Sequence, residues 1–116
     1  MNNKQKGNLG EEMAAKYLRR HGYKILARQY AVPFGEIDIV CMDRRKTLVF
    51  TEVKTRSDAR FGEPREAVTL AKQKTIARVA EMYMLENHIA GCAVRFDVVE
   101  ILGDKLNHIV NAFSVN

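Results

Sequence analysis

G-E-I-D-I-V-C-M-D-R-R-K-T-L-V-F-T-E-V-K-T-R, residues Gly35 to Arg56, is the stretch around which the rest of the chain is organised. Two runs of β-branched and aliphatic residues flank a charged interruption from Asp43 to Lys46, which reads as two strands joined by a tight reversal, a β-hairpin. Asp38 interrupts the first run, and Glu52 and Lys54 interrupt the second, at positions where a half-buried strand favours Val or Ile. Three ionisable groups embedded in strands need a physical reason.

Side chains alternate along a strand, so Glu52 and Lys54 share one face and Val53 takes the other; likewise Glu36 and Asp38 share a face, with Ile37, Ile39 and Cys41 opposite. Asp38 can meet Glu52 only if the turn between the strands holds an odd number of residues or is offset by a bulge. A simple two-residue turn at Arg44 and Arg45 would place the carboxylates on opposite faces. If they meet, the two carboxylates repel and each raises the other's pKa unless a cation intervenes. Hard oxygen ligands with open positions suit Mg²⁺ or Mn²⁺, which keep waters and bind substrate phosphate as well. A lysine two residues from such a ligand is placed to orient a nucleophile or to stabilise a phosphorane oxyanion. Asp38, Glu52 and Lys54 therefore form the kit of a metal-dependent phosphodiesterase; the bland alternative is an ion-pair cluster on a solvated sheet face.

Working outward, Leu9, Met13 and Tyr17 recur every fourth position with Ala14 and Leu18 beside them, a helical stripe from about Asn8 to His21. Asn8 reads as the N-cap, Glu11 three residues on completes a capping-box spacing, and Gly22 ends the helix. Residues 1–6 are polar and read as frayed. Glu12 falls with Lys16 and Arg19 on the solvent side, whereas Glu11 borders the apolar face and is the glutamate able to point inward. Tyr23 to Ala31 reads as a strand before the break at Pro33 and Gly35.

Beyond the hairpin, Ser57 to Pro64 is a loop by composition and bears Arg60, with Arg65 just after it. Arg65 to Glu86 reads as a second helix with Pro64 near its first turn. Val68, Ile76, Val79 and Tyr83 share one face, with Lys72 in the middle of it, where it either snorkels to solvent or contacts a phosphate. Cys92 to Leu102 alternates as a strand and Lys105 to Phe113 forms a last edge strand. The order is α-β-β-β-α-β-β in one domain, residues 1–116, and a mixed central sheet covered by helices is the simplest α/β assembly.

The charge balance is 19 Lys and Arg against 14 Asp and Glu, a net +5, and the excess lies in the first thirty residues with seven basic and two acidic. That favours polyanionic partners such as nucleic acid. Arg56, Arg60, Arg65 and Lys72 surround the hairpin in sequence and are candidates for contacting a nucleic-acid backbone, or else plain solubilising charge. Two cysteines, Cys41 and Cys92, are too few for a disulfide framework and read as reduced thiols of a cytoplasmic protein. No apolar run approaches the roughly 20 residues of a membrane span. His21, His88 and His108 show no ligand spacing and are assigned no role.

Asp38 followed by Glu52-Val53-Lys54 on the next strand resembles the motif of the PD-(D/E)XK nuclease superfamily, with Ile37 in place of the proline of its name. More closely, Gly7 to Glu11, the G-E-I-D-I-V run, F-T-E-V-K-T-R, F-G-E-P and R-F-D-V-V at Arg95 to Val99 resemble the YraN-like family, over nearly the whole chain. The resemblance implies a restriction-endonuclease-like fold and similarity to archaeal Holliday-junction resolvases, in which a first-helix glutamate joins the aspartate and the E-x-K pair; here that position is Glu11. It implies a Mg²⁺- or Mn²⁺-dependent nuclease cutting DNA, structure-specifically, with Asp38, Glu52 and Glu11 as ligands and Lys54 as catalytic lysine; Glu36, on the Asp38 face, reads as a supporting carboxylate or a partner of Lys54 or Arg56. Resolvase-like action on symmetric junctions requires a homodimer. The pattern is not uniform: Gln29 and Ala31 stand where that family usually shows Asn and Arg, and Ala77 replaces the tyrosine of Q-x-x-x-Y. The alternative is a non-catalytic nucleic-acid-binding module on the same fold, and an RNA substrate stays open because nothing in the sequence reads a 2′-hydroxyl.

Overall fold

The computed structural model describes residues 3–56 and 68–115. Its elements are α1 (Asn3–Arg20), β1 (Lys24–Val32), β2 (Gly35–Met42), β3 (Leu48–Arg56), α2 (Leu70–Glu86), β4 (Val94–Leu102) and β5 (Lys105–Phe113). This is the expected order. The five strands lie in the sheet in chain order, and every neighbouring pair is antiparallel except β3 and β4. The chain between β3 and β4, which carries α2, is long enough to return the next strand in parallel. A mixed sheet with one helix on each face is a restriction-endonuclease-like α/β architecture.

Each helix seals one face. Ala14, Ala15 and Leu18 of α1 pack on Ile39, Cys41, Val49, Val99 and Ile101, while Ile76, Val79, Ala80 and Tyr83 of α2 pack on Val40, Leu48, Phe50 and Val98. The stripe on α2 is its buried face, but on α1 the expected stripe is displaced: Ala14, Ala15 and Leu18 are buried, Met13 and Tyr17 pack at the margin and Leu9 is 53% exposed. Helix α1 ends where the glycine signal places it. Gly22 adopts φ 87°, Tyr23 N–H donates to Leu18 O at 2.9 Å and Gly22 N–H donates to Arg19 O at 3.2 Å, a Schellman closure. A side chain at Gly22 would also overlap Arg44.

Both helix starts differ from the expectation. Helix α1 begins at Asn3, so Asn8 lies inside it and caps nothing. Helix α2 begins at Leu70, because Thr69 takes an extended conformation and its hydroxyl accepts from Lys72 N–H at 3.2 Å; Thr69 is the cap, and the expected start at Pro64 and Arg65 lies outside the described residues.

The turn between β2 and β3 settles the register. Asp43 and Thr47 bond across it, Asp43 Oδ1 accepts from both Arg45 N–H and Thr47 N–H, and Lys46 closes it at φ 65°. Three residues, Arg44 to Lys46, therefore make the reversal, the odd count that puts Asp38 and Glu52 in step. The paired residues run from Met42↔Leu48 to Ile39↔Thr51.

Candidate active site

Beyond Ile39↔Thr51 the ladder changes character. Val53 N–H donates to the Asp38 carboxylate, Oδ2, at 2.8 Å, so a side chain occupies the place of a strand carbonyl. The neighbouring strand is also irregular: the β1–β2 pairing shifts between Ile25 and Ala27, and Gln29, beside Asp38 in that register, takes φ 50°. A left-handed glutamine costs about 1 kcal/mol and persists only where the surroundings hold it. The break reverses which face the strands present. Ile37 joins the core under α2, whereas Ile39 and Cys41 join the core under α1, so the simple alternation expected for these three residues does not hold.

Glu52 lies at the end of this opened ladder. It is 4% exposed, and its Oε1 meets no hydrogen-bond donor among the described residues. Burial, reinforced by the Asp38 charge and a hydrogen bond to that carboxyl, pushes the Glu52 carboxyl up to about 8. Asp38 and Glu52 are thus brought together as the hairpin register requires. Lys54, two residues on and on the same face of β3, is held below the ordinary lysine value by burial and by the adjacent Lys72 ammonium. Lys72 projects from the first turn of α2 and lies close enough to act on both Lys54 and Glu52. The odd lysine on an apolar helix face is accordingly part of this cluster.

The other candidates are placed differently. Glu11 is 5% exposed, but its Oε1 accepts from Arg28 Nε at 2.8 Å and its Oε2 from Gln29 Nε2 at 3.1 Å. Its carboxylate ties α1 to the irregular part of β1. Arg28 also reaches Glu12 at 2.8 Å, so Glu12 is not plain solvent-side charge. Glu36 is exposed on β2. Arg56 is mostly buried and approaches Glu100 Oε1 at 3.8 Å. Arg60 and Arg65 lie outside the described residues. Among the described residues no group of three or more His, Cys, Asp or Glu side chains is placed to hold a metal ion.

Two features escaped the sequence reading. Glu100 stands beside Lys54 in the parallel β3–β4 register, is buried, and has its Oε2 without a donor among the described residues. A glutamate inside the apolar run V-V-E-I-L was the available signal. On the α1 face, Asp97 is 0% exposed and accepts from Arg95 Nε at 2.9 Å and from Asn111 N–H at 2.9 Å, while His108 Nε2 lies 2.8 Å from its Oδ2. Burial alone would raise the Asp97 carboxyl, but His108, Arg95 and the Asn111 amide together hold it below the usual range. Arg95 extends the network to Asp43 and to the Tyr23 hydroxyl, and His108 to the Tyr17 hydroxyl, clamping α1, the hairpin turn and β5 together. Cys41 lies in the same region as a free thiol, pushed up to about 12 by burial.

The fold and this cluster define a restriction-endonuclease-like domain carrying a carboxylate pair, the buried Glu52 and the half-buried Asp38, flanked by two lysines. The sequence model of the Uncharacterised protein family UPF0102 matches residues 10–101, and the chain belongs to that family. Among its relatives, a UPF0102 protein of Clostridioides difficile is 44% identical over 115 residues, covering 97% of this chain and all of the relative. Those of Syntrophomonas wolfei and Alkaliphilus oremlandii are 45% and 46% identical, each alignment covering 96% of this chain and 99% of the relative. No helix among the described residues is long and apolar enough to cross a membrane.

Proposed function

We propose that this chain is a divalent-cation-dependent nuclease that hydrolyses DNA phosphodiester bonds, acting on branched or flapped structures. The observation that carries the reading is Glu52: a buried carboxylate with an oxygen that meets no donor among the described residues, pressed against a second carboxylate and flanked by two lysines, is costly without a cation. Two adjoining carboxylates fit the way Mg²⁺ or Mn²⁺ is usually held, by one or two protein oxygens plus substrate phosphate. When bound, the ion supplies Lewis-acid polarisation of the phosphate and a more acidic water.

The chain's own residues do the rest. Asp38, fixed by Val53 N–H, and Glu52 would hold the cation. Lys54, whose grip on its proton is weakened by burial and Lys72, orients the attacking water and accepts its proton. Lys72 neutralises phosphate charge at the mouth of the site. Glu11 acts through Arg28 and Gln29, holding the irregular strand beside Asp38, and is not assigned as a ligand.

The second reading is a non-catalytic nucleic-acid-binding module, favoured by the lack of a third ligating side chain near the pair among the described residues. Incubation with Mg²⁺ or Mn²⁺ and a panel of linear duplex, single-stranded, flapped and four-way DNA, with the same panel in RNA, separates the two. Cleavage by the unmodified protein that is abolished in Lys54→Ala, with binding retained, supports the nuclease. Binding without cleavage across the panel overturns it in favour of the module.

A further inference from the structure

The β1–β2 hairpin reverses through Pro33 and Phe34, between the paired residues Val32 and Gly35. Two-residue hairpin turns favour Asn-Gly or a leading Gly, because the turns that match strand twist need positive φ. Neither Pro33 nor Phe34 has positive φ, so the tip is not built for the easiest reversal. It presents a large apolar ring, 42% exposed, immediately after a residue whose own ring fixes the backbone.

That ring is held from one side. The Arg78 guanidinium lies 4.3 Å from its centroid, a cation–π contact made by the outer face of α2. The adjacent Gly35 permits the approach: a Cβ there would press on Thr75 and Val79, so the hairpin tip and α2 meet backbone to side chain. Phe34 is therefore a braced ring that stays partly open to solvent while resting against the helix.

Its place relative to the carboxylate cluster is set by the same two elements. Asp38 is four residues along from Phe34, about 13 Å in a strand. Arg78 is six residues along α2 from Lys72, a rise of about 9 Å. A braced aromatic with one face backed by arginine, on the strand that carries Asp38 and against the helix that carries Lys72, has the chemistry that stacks an unpaired base.

We propose that Phe34, backed by Arg78, is a stacking platform for an unpaired nucleobase of the substrate, and that it gives the site its preference for DNA with single-stranded segments over plain duplex. This rests on the nucleic-acid reading above. The test is binding in EDTA, where cleavage plays no part, of fluorescein-labelled single-stranded, flapped and blunt duplex DNA to the full chain. Phe34→Ala weakens binding of the single-stranded and flapped probes roughly five- to a hundredfold, the scale of one lost base stack, and leaves duplex binding unchanged. Phe34→Trp restores it, Arg78→Ala gives an intermediate loss, and 2-aminopurine in the unpaired segment changes emission with the wild type and not with Phe34→Ala. Equal binding by Phe34→Ala, an equal loss on duplex, or failure of Phe34→Trp to rescue a folded variant overturns the platform. Phe34-dependent binding by a protein that cuts nothing keeps the platform and rejects the nuclease. Cleavage insensitive to Phe34 keeps the nuclease and rejects the platform, and absence of any nucleic-acid binding rejects both.

Discussion

Replacing Glu52 by Gln should stabilise this protein at alkaline pH, an unusual direction for a change at a buried polar residue. The Glu52 carboxyl is pushed from an ordinary 4.5 to about 8 by burial and by Asp38. Between those values the folded chain holds a proton that the unfolded chain has released, so stability falls as pH rises through that interval and levels off above it. Each tenfold change in proton affinity is worth about 1.4 kcal/mol, which bounds the cost at about 5 kcal/mol; with local relaxation and water entry we expect roughly 2 kcal/mol. Gln keeps the shape and removes the titration. For a chain of this size that is a rise in Tm of roughly 5–10 °C above about pH 8, shrinking to near zero close to pH 5. The assay is thermal unfolding of wild type and Glu52→Gln across that range in EDTA, read as the difference between the two curves. Excess Mg²⁺ should then raise the wild type and leave the variant unmoved, closing the gap by mass action. A pH-independent difference, or a variant less stable than wild type above about pH 8, would refute the picture of a strained, cation-seeking carboxylate.

Other outcomes follow from the same geometry. Lys54→Ala should lower the cleavage rate by about a hundredfold or more while substrate affinity in EDTA changes little, as measured by single-turnover kinetics beside an anisotropy titration. Asp97→Asn should cost about 3 kcal/mol or more in urea unfolding, because Arg95 and His108 lose a fully buried partner. Since Asp97 is held below its ordinary value, its contribution is present above about pH 4 and lost in acid, so the variant's deficit should shrink as pH falls through that region. Glu11→Gln should lower Tm by loosening Arg28 and Gln29, yet change Mn²⁺ affinity by less than about twofold; a large loss of affinity would restore Glu11 as a ligand.

The element order was legible because the apolar runs are distinct: β5 spans Lys105 to Phe113 as expected and α2 buries the face its stripe predicts, whereas α1 buries Ala14, Ala15 and Leu18 and leaves Leu9 exposed. The parity condition on the hairpin was legible too, but not its outcome, since D-R-R-K-T accommodates either a two- or a three-residue reversal until Lys46 takes its left-handed conformation. The start of α2 was obscured by Pro64, a strong local signal, while the weaker cap Thr69 governs. The split of Ile37 from Ile39 had no local signature, for it depends on how β1 and β3 meet Asp38. Glu11 looked inward from its wheel position, and it is inward; only the tertiary structure shows that Arg28 and Gln29 engage both its oxygens. The Asp97 network joins residues far apart in the chain and was beyond any spacing rule.

Whether Asp38 and Glu52 take up a divalent cation is read by electron paramagnetic resonance of Mn²⁺ titrated into the protein without nucleic acid. Binding should saturate at one ion per chain, be competed by Mg²⁺, and be lost in both Asp38→Asn and Glu52→Gln variants that remain folded. Free Mn²⁺ throughout the wild-type titration, or binding that survives both substitutions, would contradict a cation site there.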